Sequence, residues 1–298
     1  MALQIVEFFG YKPLSKRAAQ FVEDVMCPFT RTACIKPNHG ACSVRQTQGD
    51  PIICCPNRLY ADNYKALHEV ALEIFGPESV MVTALEARTM KTKGALTGNE
   101  VVAFGKGWGG ELALPRPKRT DGSSSGAYYV DWILAKIGKT GLLQEFTALE
   151  VQTIDTTGSY RDQSDAFFAG EEYEGWSNSG MNWENVNKRI LPQLIYKGHV
   201  LRREARCTKG LFFICPEQVY EKIKTRLGNT LHEYPVGPGT ISFRSYELGK
   251  IDPETKQRPL VFNAQFTTTV DQVAMAFTSP MNLPDQNVYA AAINTALG

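Results

Sequence analysis

Glu150-Val151-Gln152 and, nineteen residues upstream, Asp131 are the side chains whose types and spacing could do chemistry. Alternation in a strand puts Glu150 and Gln152 on one face and Leu149 and Val151 on the other. Residues 147–153 have the composition of such a strand. Residues 128–134, rich in aromatic and β-branched side chains, predict a second strand with Asp131 in its middle. If the two are neighbours, Asp131 and Glu150 meet, and the backbone carbonyl of Val151 joins them in a set of hard oxygen donors. Mg²⁺ takes such a set and keeps several waters. Bound there, it would lower the pKa of a water and neutralise charge on a scissile phosphate. Gln152 can hydrogen-bond but has no useful basicity, which makes it a positioner. Glu111, following Gly109-Gly110 at the start of a short predicted strand, is a third acid for the ion or one of its waters.

A second constellation lies near the N-terminus. Five of the seven cysteines fall before residue 56, and Cys27, Cys34, Cys42 and Cys55 are spaced C-x6-C-x7-C-x12-C, with Cys54 spare. In a long chain without a secretion signal, such clustering points to metal ligation before disulfides. Pro28 and Pro56 follow two of the thiols, and Asn38, His39 and Gly40 supply turn residues between them. Four thiolates prefer a tetrahedral zinc or iron. Such an ion would fix a segment too polar to fold on its own core. Cys207 and Cys215, far away in sequence, are expected to be ordinary buried thiols.

The elements around these residues follow from periodicity and punctuation. Helices are expected over 62–75, about 183–206, 216–227, 271–277 and 285–297, and strands over 101–104, 111–114, 211–214, 240–248 and 260–270. Pro192 should kink the helix that contains it, and Gly198 should weaken it. Residues 155–180 are expected to be loop with one short helix. Strands flanked by helices predict an α/β (α+β) mixed sheet. Two regions are expected, a cysteine-bearing module over 1–60 and a larger domain over 61–298. With 43% apolar and 21% charged residues, no apolar run near the ~18 residues a membrane span needs and no signal-peptide pattern at the N-terminus, a cytosolic protein is expected.

Net charge is only +1, so any nucleic-acid footprint must be local. Residues 183–209 hold seven basic side chains, among them Lys188, Arg189 and Lys197, against two acidic ones. Arg116, Lys118 and Arg119 form a second basic patch. Both suit a phosphate backbone. Gly105-Lys106-Gly107-Trp108-Gly109-Gly110 fits a dinucleotide fingerprint in letters, but Pro115 and Pro117 leave no room for the helix that motif requires.

These residues resemble the NotI-type restriction endonucleases. The matching stretches are Glu7-Phe8-Phe9-Gly10, Cys27-Pro28-Phe29, Cys34-Ile35-Lys36, Gly40-Ala41-Cys42, Cys55-Pro56-Asn57-Arg58 and Gly109-Gly110-Glu111-Leu112. They continue with Val130-Asp131-Trp132, Leu149-Glu150-Val151-Gln152-Thr153, Gly158-Ser159-Tyr160, Asn187-Lys188-Arg189 and Asp252-Pro253. The resemblance implies a PD-(D/E)xK nuclease core of mixed sheet flanked by helices, with a small four-cysteine module near the N-terminus. It implies a structural iron, or zinc, on Cys27, Cys34, Cys42 and Cys55. It also implies a catalytic set of Asp131, Glu150 and Gln152 with Glu111 nearby, and Mg²⁺ as catalytic ion. Gln152 stands where many such nucleases carry a lysine. The activity implied is Mg²⁺-dependent cleavage of GC-rich palindromic double-stranded DNA by a bacterial homodimer. Two other classes stand beside it: a non-catalytic, metal-stabilised DNA-binding protein, and a thiol redox or electron-transfer protein. The last lacks a C-x2-C pair and any accompanying cofactor motif.

Overall fold

The computed structural model describes every residue except 1, 37, 48, 115–127, 280–282 and 284. The chain opens with β1 (Leu3–Phe8), α1 (Ala19–Glu23), β2 (Ala41–Gln46) and β3 (Ile52–Ile53), whose strands form a three-stranded antiparallel sheet. Helix α2 (Ala61–Phe75) leads to β4 (Val80–Thr83), α3 (Ala84–Thr92) and β5 (Glu100–Gly105). A two-residue pairing of β6 (Ala113–Leu114) with β7 (Tyr128–Tyr129) precedes β8 (Trp132–Ile137) and β9 (Leu143–Val151). Next, β10 (Thr156–Thr157) and β11 (Gly180–Met181) pair across α4 (Arg161–Phe168). The rest alternates: α5 (Leu191–Leu201), β12 (Leu211–Pro216), α6 (Glu217–Leu227), β13 (Thr240–Leu248), β14 (Leu260–Thr269), α7 (Val270–Thr278) and α8 (Val288–Leu297).

Seven strands make one mixed sheet in the order β14-β13-β12-β9-β8-β5-β4. Strands β5, β8 and β9 form an antiparallel meander, while β9, β12 and β13 run parallel. Parallel neighbours need long crossovers. Here α4 and α5 lie between β9 and β12, and α6 lies between β12 and β13. Period-two alternation sends Trp132, Leu134, Leu149, Val151, Phe212 and Ile214 to the face shared with Leu67 and Val70 of α2. It sends Ile133, Ala148 and Phe213 to the other face, against Leu191, Leu194 and Leu201 of α5 and Val219 of α6. β12, covered on both faces, is buried along its whole length, as expected of a central parallel strand.

The N-terminal sheet packs into the same interior. Leu3, Ile5, Phe8 and Val44 belong to the α5-side core. The Gln163 side chain accepts from Ile5 N and donates to Leu3 O, both at 2.8 Å. Arg58 and Glu7 form a fully buried ion pair at 3.0 Å.

Several sequence expectations need correction. The expected strand over 128–134 is broken: Asp131 lies in a bend between β7 and β8. The strand after Gly109-Gly110 is shorter than expected, so Glu111 precedes β6 instead of starting it. Residues 80–100, without clear periodicity, hold β4 and α3. Pro192 sits at the start of α5, directly after a π-helical turn over Val186–Ile190, so the helical run expected over about 183–206 changes character at the proline. Gly198 does not interrupt α5. A Cβ there would lie 2.7 Å from Val270 Cγ2, so the glycine lets the helix approach its neighbours closely. No helix among the described residues is long and apolar enough to cross a membrane.

Candidate active site

Asp131 and Glu150 are brought together by register. Trp132 pairs with Leu149 in the β8–β9 ladder, so the preceding Asp131 falls opposite Glu150. The bend turns the Asp131 carboxylate onto β9, where it accepts the Val151 N–H at 2.8 Å. That bond fixes the carboxylate and uses one oxygen. Leu149 and Val151 point into the α2-side core, as alternation requires, which directs Glu150 and Gln152 to the α5 side.

Glu150 is almost completely buried, 1% exposed. Its Oε1 lies 2.5 Å from Lys197 Nζ of α5, and its Oε2 accepts from Gln152 Nε2 at 3.3 Å. Gln152 Nε2 also reaches Gln193 Oε1 of α5 at 3.4 Å. Burial pushes the Glu150 carboxyl up to about 7, and Asp131 beside it pushes the same way, against the pull of Lys197. Burial raises Asp131 as well, opposed by the Val151 N–H and Lys197 and reinforced by Glu111. Asp131 therefore lies within electrostatic reach of both Glu150 and Glu111.

A cleft of about 220 Å³ opens beside them. Asp131, Val151, Glu111 and Lys106 line one side, and Thr32, Asn57 and Tyr60 from the N-terminal region line the other. Glu150 is almost fully buried and is not among the residues that line this cleft. Gly105 starts the glycine-rich loop along the rim. A Cβ there would lie 2.3 Å from Trp132, so the glycine permits the loop to pack on that ring. Trp132 Nε1 in turn donates to Tyr60 Oη at 3.0 Å, tying the cleft wall to β8.

Cys42 lies in β2, while Cys27 and Cys34 precede that strand and Cys54 and Cys55 follow β3 in irregular segments. Cys27, Cys42 and Cys55 are buried and Cys34 is half-buried. Burial raises the Cys42 thiol well above its usual range, with Cys55, Glu7 and Cys27 adding to the effect. Cys34 joins the group through Gly40, whose N–H donates to Cys34 Sγ at 3.2 Å and whose carbonyl accepts from Cys42 Sγ at 3.4 Å. Asn57 Nδ2 donates to Cys27 Sγ at 3.6 Å. Among the described residues, no group of three or more His, Cys, Asp or Glu side chains is arranged to hold a metal ion. Donors aimed at Cys27 and Cys34 nonetheless suit thiolate ligands, which need such partners. Val25, just before Cys27, and Arg31 and His39, between the cysteines, adopt left-handed backbone, a conformation that needs support from its surroundings. Thr153, one residue beyond Gln152, donates to Cys54 O at 3.1 Å and joins this region to the candidate site.

The basic residues divide. Lys188 and Arg189 are exposed, beside Glu184 and Asp155 respectively. Arg116, Lys118 and Arg119 fall outside the described residues. Lys197, counted by sequence within a solvated basic helix, is instead buried against Glu150. Its one sequence signal was its place in the apolar run of α5. Cys207 and Cys215 are buried thiols, as expected.

The chain matches no model of a known protein family and no curated relative.

Proposed function

We propose that this chain is a type II restriction endonuclease with a PD-(D/E)xK core, a hydrolase that cuts phosphodiester bonds in GC-rich palindromic double-stranded DNA. The single observation that carries the proposal is the meeting of Asp131 and Glu150 at the paired ends of β8 and β9, with Asp131 held by the Val151 N–H beside a cleft that also takes Glu111. Asp131 and Glu150, with the Val151 carbonyl, would offer the kind of oxygen donors that Mg²⁺ takes. When bound, that ion supplies an acidified water and charge neutralisation at phosphate. Asp131 and Glu150 would hold it, Glu111 would hold one of its waters, and Gln152 would orient the Glu150 carboxylate. In the hydrolysis, a water oxygen bonds to phosphorus and gives a proton to solvent, the opposite P–O bond breaks, and the departing sugar oxygen takes a proton from solvent.

Cys27, Cys34, Cys42 and Cys55 would carry a structural iron or zinc, in a module packed against the cleft. Lys188 and Arg189, with Arg116, Lys118 and Arg119, would contact the DNA backbone. A homodimer would match its two-fold symmetry to that of a palindrome. The setting for such an enzyme is a bacterial cytoplasm.

Purified protein with Mg²⁺ should cut plasmid into discrete fragments, and Asp131→Ala should bind the same DNA without nicking it. Cleavage retained by Asp131→Ala would remove that residue from the site. One observation favours the second reading, a non-catalytic metal-stabilised DNA-binding protein: Glu150 is buried in an ion pair with Lys197 and does not line the cleft. A gel shift without cutting by the wild-type protein would decide for it.

A further inference from the structure

Resting on the nuclease assignment, we propose that Lys197 is a positioning residue of the site, supplying from α5 the ammonium group that β9 lacks at Gln152. The geometry is specific. Both oxygens of Glu150 are taken by N–H donors, Lys197 Nζ at 2.5 Å on Oε1 and Gln152 Nε2 at 3.3 Å on Oε2. Gln152 is itself held by Gln193, one helical turn before Lys197. A stripe of residues four apart on α5 thus interlocks with a stripe of residues two apart on β9.

Burial separates this lysine from the others. Its side chain is 9% exposed, against 30–71% for the lysines of the other ion pairs among the described residues. Taking an ammonium out of water is costly and is sustained only by a good partner. For packing alone an apolar side chain suffices, as Leu194 and Leu201 show on the same helix. The close approach at Gly198 brings α5 down onto Val270 and Ile241, within reach of β9 for the adjacent lysine. There the ammonium offsets two neighbouring carboxylates, Glu150 and Asp131, and fixes the orientation of the first.

The test moves the ammonium back to the strand. Wild type, Lys197→Met and the double variant Lys197→Met with Gln152→Lys are compared in single-turnover plasmid cleavage, in Mg²⁺ binding by calorimetry and in thermal melts without Mg²⁺. Lys197→Met should lower the single-turnover rate by about 10²-fold, the usual scale for a misplaced catalytic group, and should not weaken Mg²⁺ binding, because it removes a competing cation from Glu150. The double variant should recover cleavage. Wild-type rates in Lys197→Met would overturn the proposal. So would a double variant that melts like wild type yet cleaves as slowly as the single one. If the methionine variant loses its cooperative melt, Lys197→Gln carries the test, keeping a donor without the charge: slowed cleavage supports the role and wild-type cleavage refutes it. Wild-type protein that leaves plasmid intact overturns the nuclease assignment, and this role with it.

Discussion

At the scale of single residues, buried charge is the main constraint, and it was only half visible in the sequence. Glu150 stood out because it shares a strand face with Gln152 and lies nineteen residues beyond Asp131. Its partner, Lys197, lies 47 positions away, and nothing in local pattern links the two. The same holds for Glu7 and Arg58, whose side chains are 3% and 1% exposed. Arg58 also stacks on Phe29 at 4.8 Å. Removing either partner alone, by Glu7→Leu or Arg58→Met, should destabilise the fold by ~3–5 kcal/mol, because one charge stays buried without its counterion. The two changes together should cost much less than their sum. A double-mutant cycle from urea midpoints measures this, and simple additivity would contradict it.

At the scale of elements, the close contact of α5 and the capping of α3 make distinct predictions. Gly198→Ala places a methyl 2.7 Å from Val270 Cγ2. It should cost about 1–3 kcal/mol in overpacking and slow DNA cleavage by lifting Lys197 away from Glu150. Helix α3 begins with a capping box in which Thr83 and Glu86 exchange hydrogen bonds. Thr83→Ala should cost about 1 kcal/mol. The Glu86 carboxyl is held below its usual range by the Thr83 backbone N–H and hydroxyl. Its contribution is therefore present above the unfolded carboxylate pKa and disappears as pH falls through the lower folded value. Protection factors in α3, which normalise exchange to the unfolded chain at each pH, should fall across that acidic window in wild type, and Glu86→Gln should remove the dependence. The main strands and most helices were legible because they keep period two or period 3.6 over enough residues. The break at Asp131 was not, since its cause is a hydrogen bond to Val151 on another strand.

At the scale of the molecule, the N-terminal sheet and the seven-stranded sheet share one apolar core through Leu3, Ile5, Phe8 and Val44. Arg58 also donates across that junction to the Arg258 carbonyl at 2.5 Å. A fragment spanning 61–298 should therefore lack a cooperative melt, because the larger part loses cover for its own interior; a sharp native-like transition would show it to be independent. Elemental analysis should find about one iron or zinc per chain, and its removal by a chelator should lower the melting temperature. Finding neither metal, with four titratable thiols at Cys27, Cys34, Cys42 and Cys55, would exclude a structural ion.

The amino-acid order alone determined which residues alternate along β9, roughly where most of the longer helices fall, and that two neighbouring segments carry Asp131 and Glu150 while a cysteine cluster lies near the N-terminus. These are properties of neighbours within a few positions, set by side-chain period and backbone preference. Only the tertiary structure decided that the cysteine region walls the cleft beside Asp131. It also decided that Lys197 points inward to Glu150. Both depend on how close α5 and the N-terminal sheet approach the strands, and such distances are set by packing across the core, which no local pattern encodes.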